Sequence, residues 1–247
     1  MEPGPDETLD GLLGGRVKLI QPRRGYRVAI DPVLLAAAVP AMPGQRVLDL
    51  GCGVGAVALC LAARVPGLDL AGLEIQPVLA GMAQRNAALN GLTGKFAVLI
   101  GDAKAPPVEI APGSFDHVVV NPPYLDERRA DPSPDRSKAA ATVEVETSLA
   151  DWLDACLRYA RADGVVTLIH RADRLTEIEA LLEGRAGSVE ILPLLPKTNA
   201  PAKRAILRIR PAGREGRVIR SGLVLHEADG RYTAAADAVL RGAQGVG

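Results

Sequence analysis

Asn121-Pro122-Pro123-Tyr124 closes the apolar run Phe115–Val120. The run has strand composition, and two prolines cannot donate to a sheet, so the strand must end there. The tetrapeptide suits chemistry on a planar nitrogen. An exocyclic amino or amide nitrogen has its lone pair delocalised and needs no strong base. It gains instead from two acceptors that take hydrogen bonds from the NH2 as charge develops. The Asn121 side-chain oxygen and the Pro122 carbonyl can supply these, and the Pro122-Pro123 pair holds the backbone in place. Tyr124 offers a ring on which a planar target stacks.

A second constellation lies earlier, in the stretch VLDLGCGVGAVAL, which reads as strand, glycine turn and helix. Gly51, Gly53 and Gly55 let backbone approach a ligand at a helix start with free N–H groups. Cys52 contributes only its backbone there, since nothing nearby would activate a thiol. The turn also fits G-x-G-x-x-A, a dinucleotide fingerprint. Asp49 discriminates between the ligands: an anion two residues before the first glycine opposes a pyrophosphate and suits the sulfonium and ammonium of S-adenosyl-L-methionine. Glu74, at the end of the next strand, can accept both ribose hydroxyls, with Ile75 beside it. Asp102, with Ala103 after it, closes the following strand and fits a hydrogen bond to an adenine amino group. Acids at three successive strand ends, with Asn121 at a fourth, mark the edge where open α/β sheets bind ligands.

The composition narrows the class. Lys plus Arg and Asp plus Glu both number 29, so no global basic field holds nucleic acid and such binding needs a local patch. Candidates are Arg23 and Arg24, Arg128 and Arg129 after the tetrapeptide, and Lys203 and Arg204 near the end of the core. Three scattered cysteines make no CxxC pair, and His117, His170 and His226 have no ligand spacing, so neither a disulfide framework nor a metal site is expected. Trp152 reads as a core residue. The acidic, proline-bearing N-terminus is no signal peptide, and no apolar run is long enough to span a bilayer. These features predict a cytoplasmic protein without membrane partners.

Strands are predicted over 46–50, 68–74, 96–100, 117–120, 164–170, 189–195 and 204–210, and helices over 55–65, 77–90, 148–160 and 173–184. Continuous Val/Leu/Ile strands between helices mean a mostly parallel sheet covered on both faces. Residues 189–195 and 204–210 have no helix between them and should pair antiparallel. Residues 1–14 read as a disordered start. Residues 15–247 read as one domain: a β-hairpin around Pro22-Arg23-Arg24-Gly25 and a helix capped by Asp31 (15–44), a catalytic core (45–210), and an extension with a strand, a turn and a short helix capped by Thr233 (211–247). The polar, proline-rich stretch 130–146 reads as an active-site loop.

The order D-L-G-x-G-x-G, strand-end Glu, G-D, then N-P-P-Y resembles the class I S-adenosylmethionine-dependent methyltransferases over roughly residues 30–210. That resemblance implies a Rossmann-like, seven-stranded sheet with an antiparallel last strand, and action on an amino nitrogen. The substrates of such enzymes are adenine N6, guanine N2 or the glutamine amide of release factors. The start GGRVKLIQPRRGYRVAIDPVLLA is similar to a bacterial group of tRNA adenine-N6 methyltransferases, at Gln21, Gly25-Tyr26-Arg27, Asp31 and Leu34-Leu35, and so is the tail from Leu223. This implies an RNA substrate, a tRNA. The stretch SKAAATVEVE departs from the group, which often carries arginines there. The alternatives are methylation of a release-factor glutamine or of a ribosomal RNA amino group and, more remotely, an NAD-binding oxidoreductase.

Overall fold

The computed structural model describes residues 2–25, 27–123, 147–213 and 216–246. Its core is a parallel sheet built from β3 (Arg46–Leu50), β4 (Asp69–Glu74), β5 (Phe96–Ile100), β6 (Phe115–Val120) and β7 (Ala160–Arg171). Beyond β7 come β9 (Arg204–Arg210) and β8 (Ser188–Lys197), giving the order β8-β9-β7-β6-β3-β4-β5. β9 runs antiparallel to both neighbours, as the helix-free connection from β8 requires. Seven strands were expected. Among the described residues the sheet has nine, because β10 (Gly216–Ile219) and β11 (Leu223–His226) both add in parallel to the outer edge of β8.

The side-chain alternation of the strands sorts the core onto two faces. Leu48, Leu50, Val118 and Val120 pack with α4 (Leu149–Tyr159) and α5 (Leu175–Leu182). Val47 and Val119 face α1 (Asp31–Ala38), α2 (Ala56–Arg64), α3 (Pro77–Leu89) and α6 (Ala234–Leu240). Local capping follows the sequence at two helices. Ser148 Oγ accepts the Asp151 N–H and the Asp151 carboxylate accepts the Ser148 N–H, closing a capping box on α4. Thr233 Oγ1 accepts the Ala236 N–H at the start of α6. The cap expected from Asp31 is not there. Asp31 is the first helical residue of α1 behind Ile30, and its carboxylate pairs with Arg204.

The hairpin lies one strand earlier than expected. β1 (Glu7–Leu12) pairs antiparallel with β2 (Val17–Pro22) through a tight turn at Leu13–Gly15, so part of the expected disordered start is a strand. Residues 27–30, read as the second arm, form no strand. Two contacts that have no local signature hold this arrangement. Arg85 of α3 makes a bidentate pair with Glu7, at 2.7 and 2.8 Å. Asn86 of α3 and Asn90, one turn on at the helix C-cap, then act as a surrogate strand along β2. The Asn86 Oδ1 accepts the Ile20 N–H (2.7 Å), and its Nδ2 donates to the carbonyls of Ile20 (2.8 Å) and Val54 (3.0 Å). Asn90 repeats the pair on Lys18, accepting its N–H at 2.9 Å and donating to its carbonyl at 2.7 Å.

Asn86 is wholly buried. Replacing it by Ala strands one backbone N–H and two carbonyls, and should cost about 3 kcal/mol of stability, since each buried polar group left unpaired costs about 1–3 kcal/mol. Asn90→Ala, at a more exposed site, should cost about 1 kcal/mol. Urea denaturation of both variants gives the comparison; equal losses would show that the buried ladder is not what holds the hairpin.

Candidate active site

The strand register levels the catalytic edge. Leu50 lies opposite Leu73 on one side and Val120 on the other. The next residues along the three strands, Gly51, Glu74 and Asn121, therefore emerge side by side. Gly51 turns away with φ +72, and a Cβ there would stand 2.9 Å from the six-membered ring of Trp152, so only glycine fits. Gly53 also has positive φ (+55) but meets nothing within 4 Å, leaving its surface open to a ligand.

The two acids form the floor of this turn. Asp49 is buried, and its Oδ2 accepts the Ala58 N–H of the first turn of α2 at 3.2 Å. It thus caps a helix whose own cap position is Gly55, which has no side chain. Burial, with Glu74 adding repulsion, pushes the Asp49 carboxyl up to about 7. Glu74, also buried, accepts the Gly53 N–H at 2.8 Å and the Gln76 N–H at 2.9 Å. Burial raises its pKa too, against those hydrogen bonds. Two desolvated carboxylates with no cation bonded to them among the described residues, at the end of a parallel sheet, suit a positively charged ligand.

Asp49, Gly51, Cys52, Gly53, Glu74, Asn121, Pro122 and Pro123 line one cleft of about 840 Å3, which is ample for a nucleoside-sized cofactor and a target group. Arg23 and Arg24 reach its rim. Arg23 donates to the carbonyls of Pro5 (3.4 Å) and Glu7 (3.1 Å), which pins the N-terminal segment against the cleft.

Other expected site residues stand apart from the described lining. Gly55 packs under the turn against Phe96, and Ile75 is half exposed beside Glu74. The Asp102 carboxylate accepts the Lys104 N–H (2.9 Å), and the buried Ala103 offers its carbonyl to the Tyr159 hydroxyl (3.1 Å). Lys203 sits in the β8–β9 turn, and Arg204 is engaged by Asp31. Tyr124, Arg128, Arg129 and the 130–146 stretch lie outside the described residues.

Sequence reasoning missed two parts of the cleft. Gly4–Glu7 lines one wall, held by the Glu7–Arg85 pair between residues far apart in the chain. Trp152 is a wall residue as well as a core one, packed on Gly51. Its position inside an amphipathic helix carried only the core signal. The histidines behave as structural groups. His117 bonds Gln45 Oε1 (2.9 Å), burial and Arg174 hold His170 down at about 4, and His226 stacks on Tyr232. All three cysteines are buried free thiols, with Cys52 raised well above its usual range by burial.

Residues 27–134 match the family model described as the methyltransferase small domain. A tRNA1(Val) (adenine(37)-N6)-methyltransferase of Porphyromonas gingivalis is 31% identical over 224 residues, covering 84% of each chain. One from Aeromonas hydrophila is 30% identical over 216 residues, 85% of this chain and 87% of that one. A solved structure from Agrobacterium tumefaciens, described as a predicted O-methyltransferase, superposes with TM-score 0.72 at 24% identity over 87% of this chain and 98% of its own, a likeness of fold. No helix among the described residues is long and apolar enough to cross a membrane. With that extent and identity of match, the chain belongs to the family of the tRNA1(Val) (adenine(37)-N6)-methyltransferases.

Proposed function

We propose that this protein methylates the N6 amino group of an adenine in tRNA, in the cytoplasm, using S-adenosyl-L-methionine. One observation carries the reading: Asn121-Pro122-Pro123 opens into the same cleft as the glycine turn, Asp49 and Glu74, level with them on the sheet edge. The relatives' substrate agrees with it.

When bound, the cofactor supplies an electrophilic methyl group on a sulfonium. The residues of the chain do the rest. Glu74 keeps acceptor capacity beyond its two backbone bonds and takes the ribose hydroxyls. Asp49 balances the ammonium. The Asn121 side-chain oxygen and the Pro122 carbonyl accept hydrogens from the target NH2 and stabilise the charge that grows there. Tyr124 stacks on the adenine. Alignment of amine and methyl supplies much of the rate. Arg23, Arg24, Lys203 and, after the tetrapeptide, Arg128 and Arg129 contact phosphates in a salt-dependent manner. Arg204 acts through its pair with Asp31, joining the start of β9 to α1.

Transfer of labelled methyl to unmodified tRNA, genomic DNA and release factors, followed by digestion, tests the substrate. N6-methyladenosine in tRNA alone is expected; label in protein overturns the RNA reading. Asn121→Ala should lower turnover about 100- to 1,000-fold while cofactor binding survives. Glu74→Ala should weaken cofactor binding about tenfold or more, since hydrogen bonds to a charged group contribute roughly 1.5–3 kcal/mol each. A binding loss in the first variant and none in the second would exchange the two roles.

The Asp49 carboxyl yields a pH signature. Because its pKa is raised in the folded chain, its contribution to stability is full below the ordinary carboxylate range and is lost as pH rises through about 7. A bound cation reverses that loss by favouring the ionised form. The dissociation constant for S-adenosyl-L-methionine should therefore be about tenfold weaker at pH 6 than at pH 8, with proton release on binding. Calorimetry in buffers of different ionisation enthalpy measures both effects, and Asp49→Asn should flatten the dependence.

A further inference from the structure

The cleft has one aromatic ring among its described lining residues, that of Trp152. Its position is set tightly. The ring packs where a Gly51 side chain would otherwise stand, with Cη2 and Cζ3 at 2.9 and 3.3 Å from that point. The capping box at Ser148 anchors the turn of α4 that carries it. Trp152 is only 8% exposed, yet its indole Nε1 has no hydrogen-bond partner among the described residues. A buried tryptophan usually satisfies that group. The side chain is therefore held by packing against the glycine turn at Gly51, and it lines the same cleft as Asn121-Pro122-Pro123.

We propose that Trp152 recognises the positive charge on the methyl-bearing sulfur of the cofactor, so that the cleft prefers the charged donor over its neutral demethylated product. The inference rests on the cofactor reading above. It follows from where the charge must be. The methyl group would have to face the acceptors at Asn121 and Pro122 while the rest of the cofactor lay along the glycine turn; Trp152 packs on that turn at Gly51 and lines the cleft that both share. An indole attracts cations more strongly than any other side-chain ring, and the attraction grows where water is excluded. Asp49 cannot supply the same discrimination through the ammonium, because donor and product both carry that group. The preference weakens the hold on the cofactor once the methyl group, and with it the charge, has left.

Trp152 is the chain's single tryptophan, which makes the test direct. Its emission should change when S-adenosyl-L-methionine or S-adenosyl-L-homocysteine is titrated into the full-length protein. In Trp152→Leu, affinity for S-adenosyl-L-methionine should fall about tenfold, as expected for a desolvated cation–π contact. Sinefungin, which has an amine at the sulfonium position, should fall equally, and S-adenosyl-L-homocysteine should change less than twofold. Trp152→Phe should fall between the two proteins.

If the leucine variant does not fold, fluorinated tryptophans at the same position withdraw charge from the ring with little change of shape. The logarithm of the dissociation constant should then rise with each added fluorine for S-adenosyl-L-methionine and stay level for S-adenosyl-L-homocysteine. An equal loss for all three ligands, no loss for any, or a flat fluorine series for the charged donor overturns the proposal and leaves Trp152 a packing wall. Failure of the unaltered protein to bind any of the three ligands overturns the cofactor reading itself.

Discussion

The level register of β4, β3 and β6 is the constraint on which the site depends. Three parallel strands end together because Leu50 stands opposite both Leu73 and Val120. A slip of one residue in any of them would turn its hydrophobic set to the opposite face of the sheet. The register is therefore held by the two cores, one on each side, and not by the polar residues that use it. Gly51, Glu74 and Asn121 inherit their alignment from Leu, Val and Ile side chains that never touch a ligand. Asp49 belongs to the same logic. It lies one residue before the edge, on the face shared with α2, and there its carboxylate both caps the helix and remains desolvated.

Around that edge the chain builds a second layer from segments that are remote in sequence. Asn86 joins three of them, since one carboxamide bonds β2 and the Val54 carbonyl of the glycine turn while it sits on α3. The bidentate Glu7–Arg85 pair and the Arg23 contacts then close the N-terminal segment over one wall of the cleft. The hairpin thus forms part of the site enclosure, and Arg23 and Arg24, just after β2, line the cleft. An electrically neutral chain can engage a polyanion only by concentrating positive charge locally, and Arg23 and Arg24 are one such pair of adjacent cations.

The electrostatics of the cleft divide its labour. Asp49 and Glu74 lie buried beneath the glycine turn, a setting that suits a cationic ligand, while Arg23 and Arg24 line the cleft beside the N-terminal segment. Keeping these apart avoids neutralising either. Arg204 shows the alternative, because beside Asp31 it becomes a structural pair between α1 and β9.

Much of this could be read from the residues. The strands 46–50, 96–100 and 204–210 occur as expected, because short runs of Val, Leu and Ile bounded by turn residues leave little choice. The helix-free link from β8 to β9 dictated antiparallel pairing, and the D-L-G-x-G-x-G, Glu and N-P-P-Y order pointed to the strand ends that line the cleft. Tertiary structure decided the rest. The arms of the hairpin depended on Arg85 and the Asn86–Asn90 ladder, whose partners lie far along the chain and leave no periodic trace. β11 is the strand expected in the tail, whereas β10 was not foreseen; that both add to the open edge of β8 is a pairing the local composition of residues 216–226 does not reveal. Trp152 looked like any core residue of an amphipathic helix; packing against a side-chain-free Gly51 set it in the cleft wall. The Ala103 carbonyl accepts the hydroxyl of Tyr159, a partner far along the chain that the sequence did not indicate. Periodicity and turn chemistry act over a few residues and survive in the sequence. Contacts between distant segments exist only once the sheet has brought those segments together.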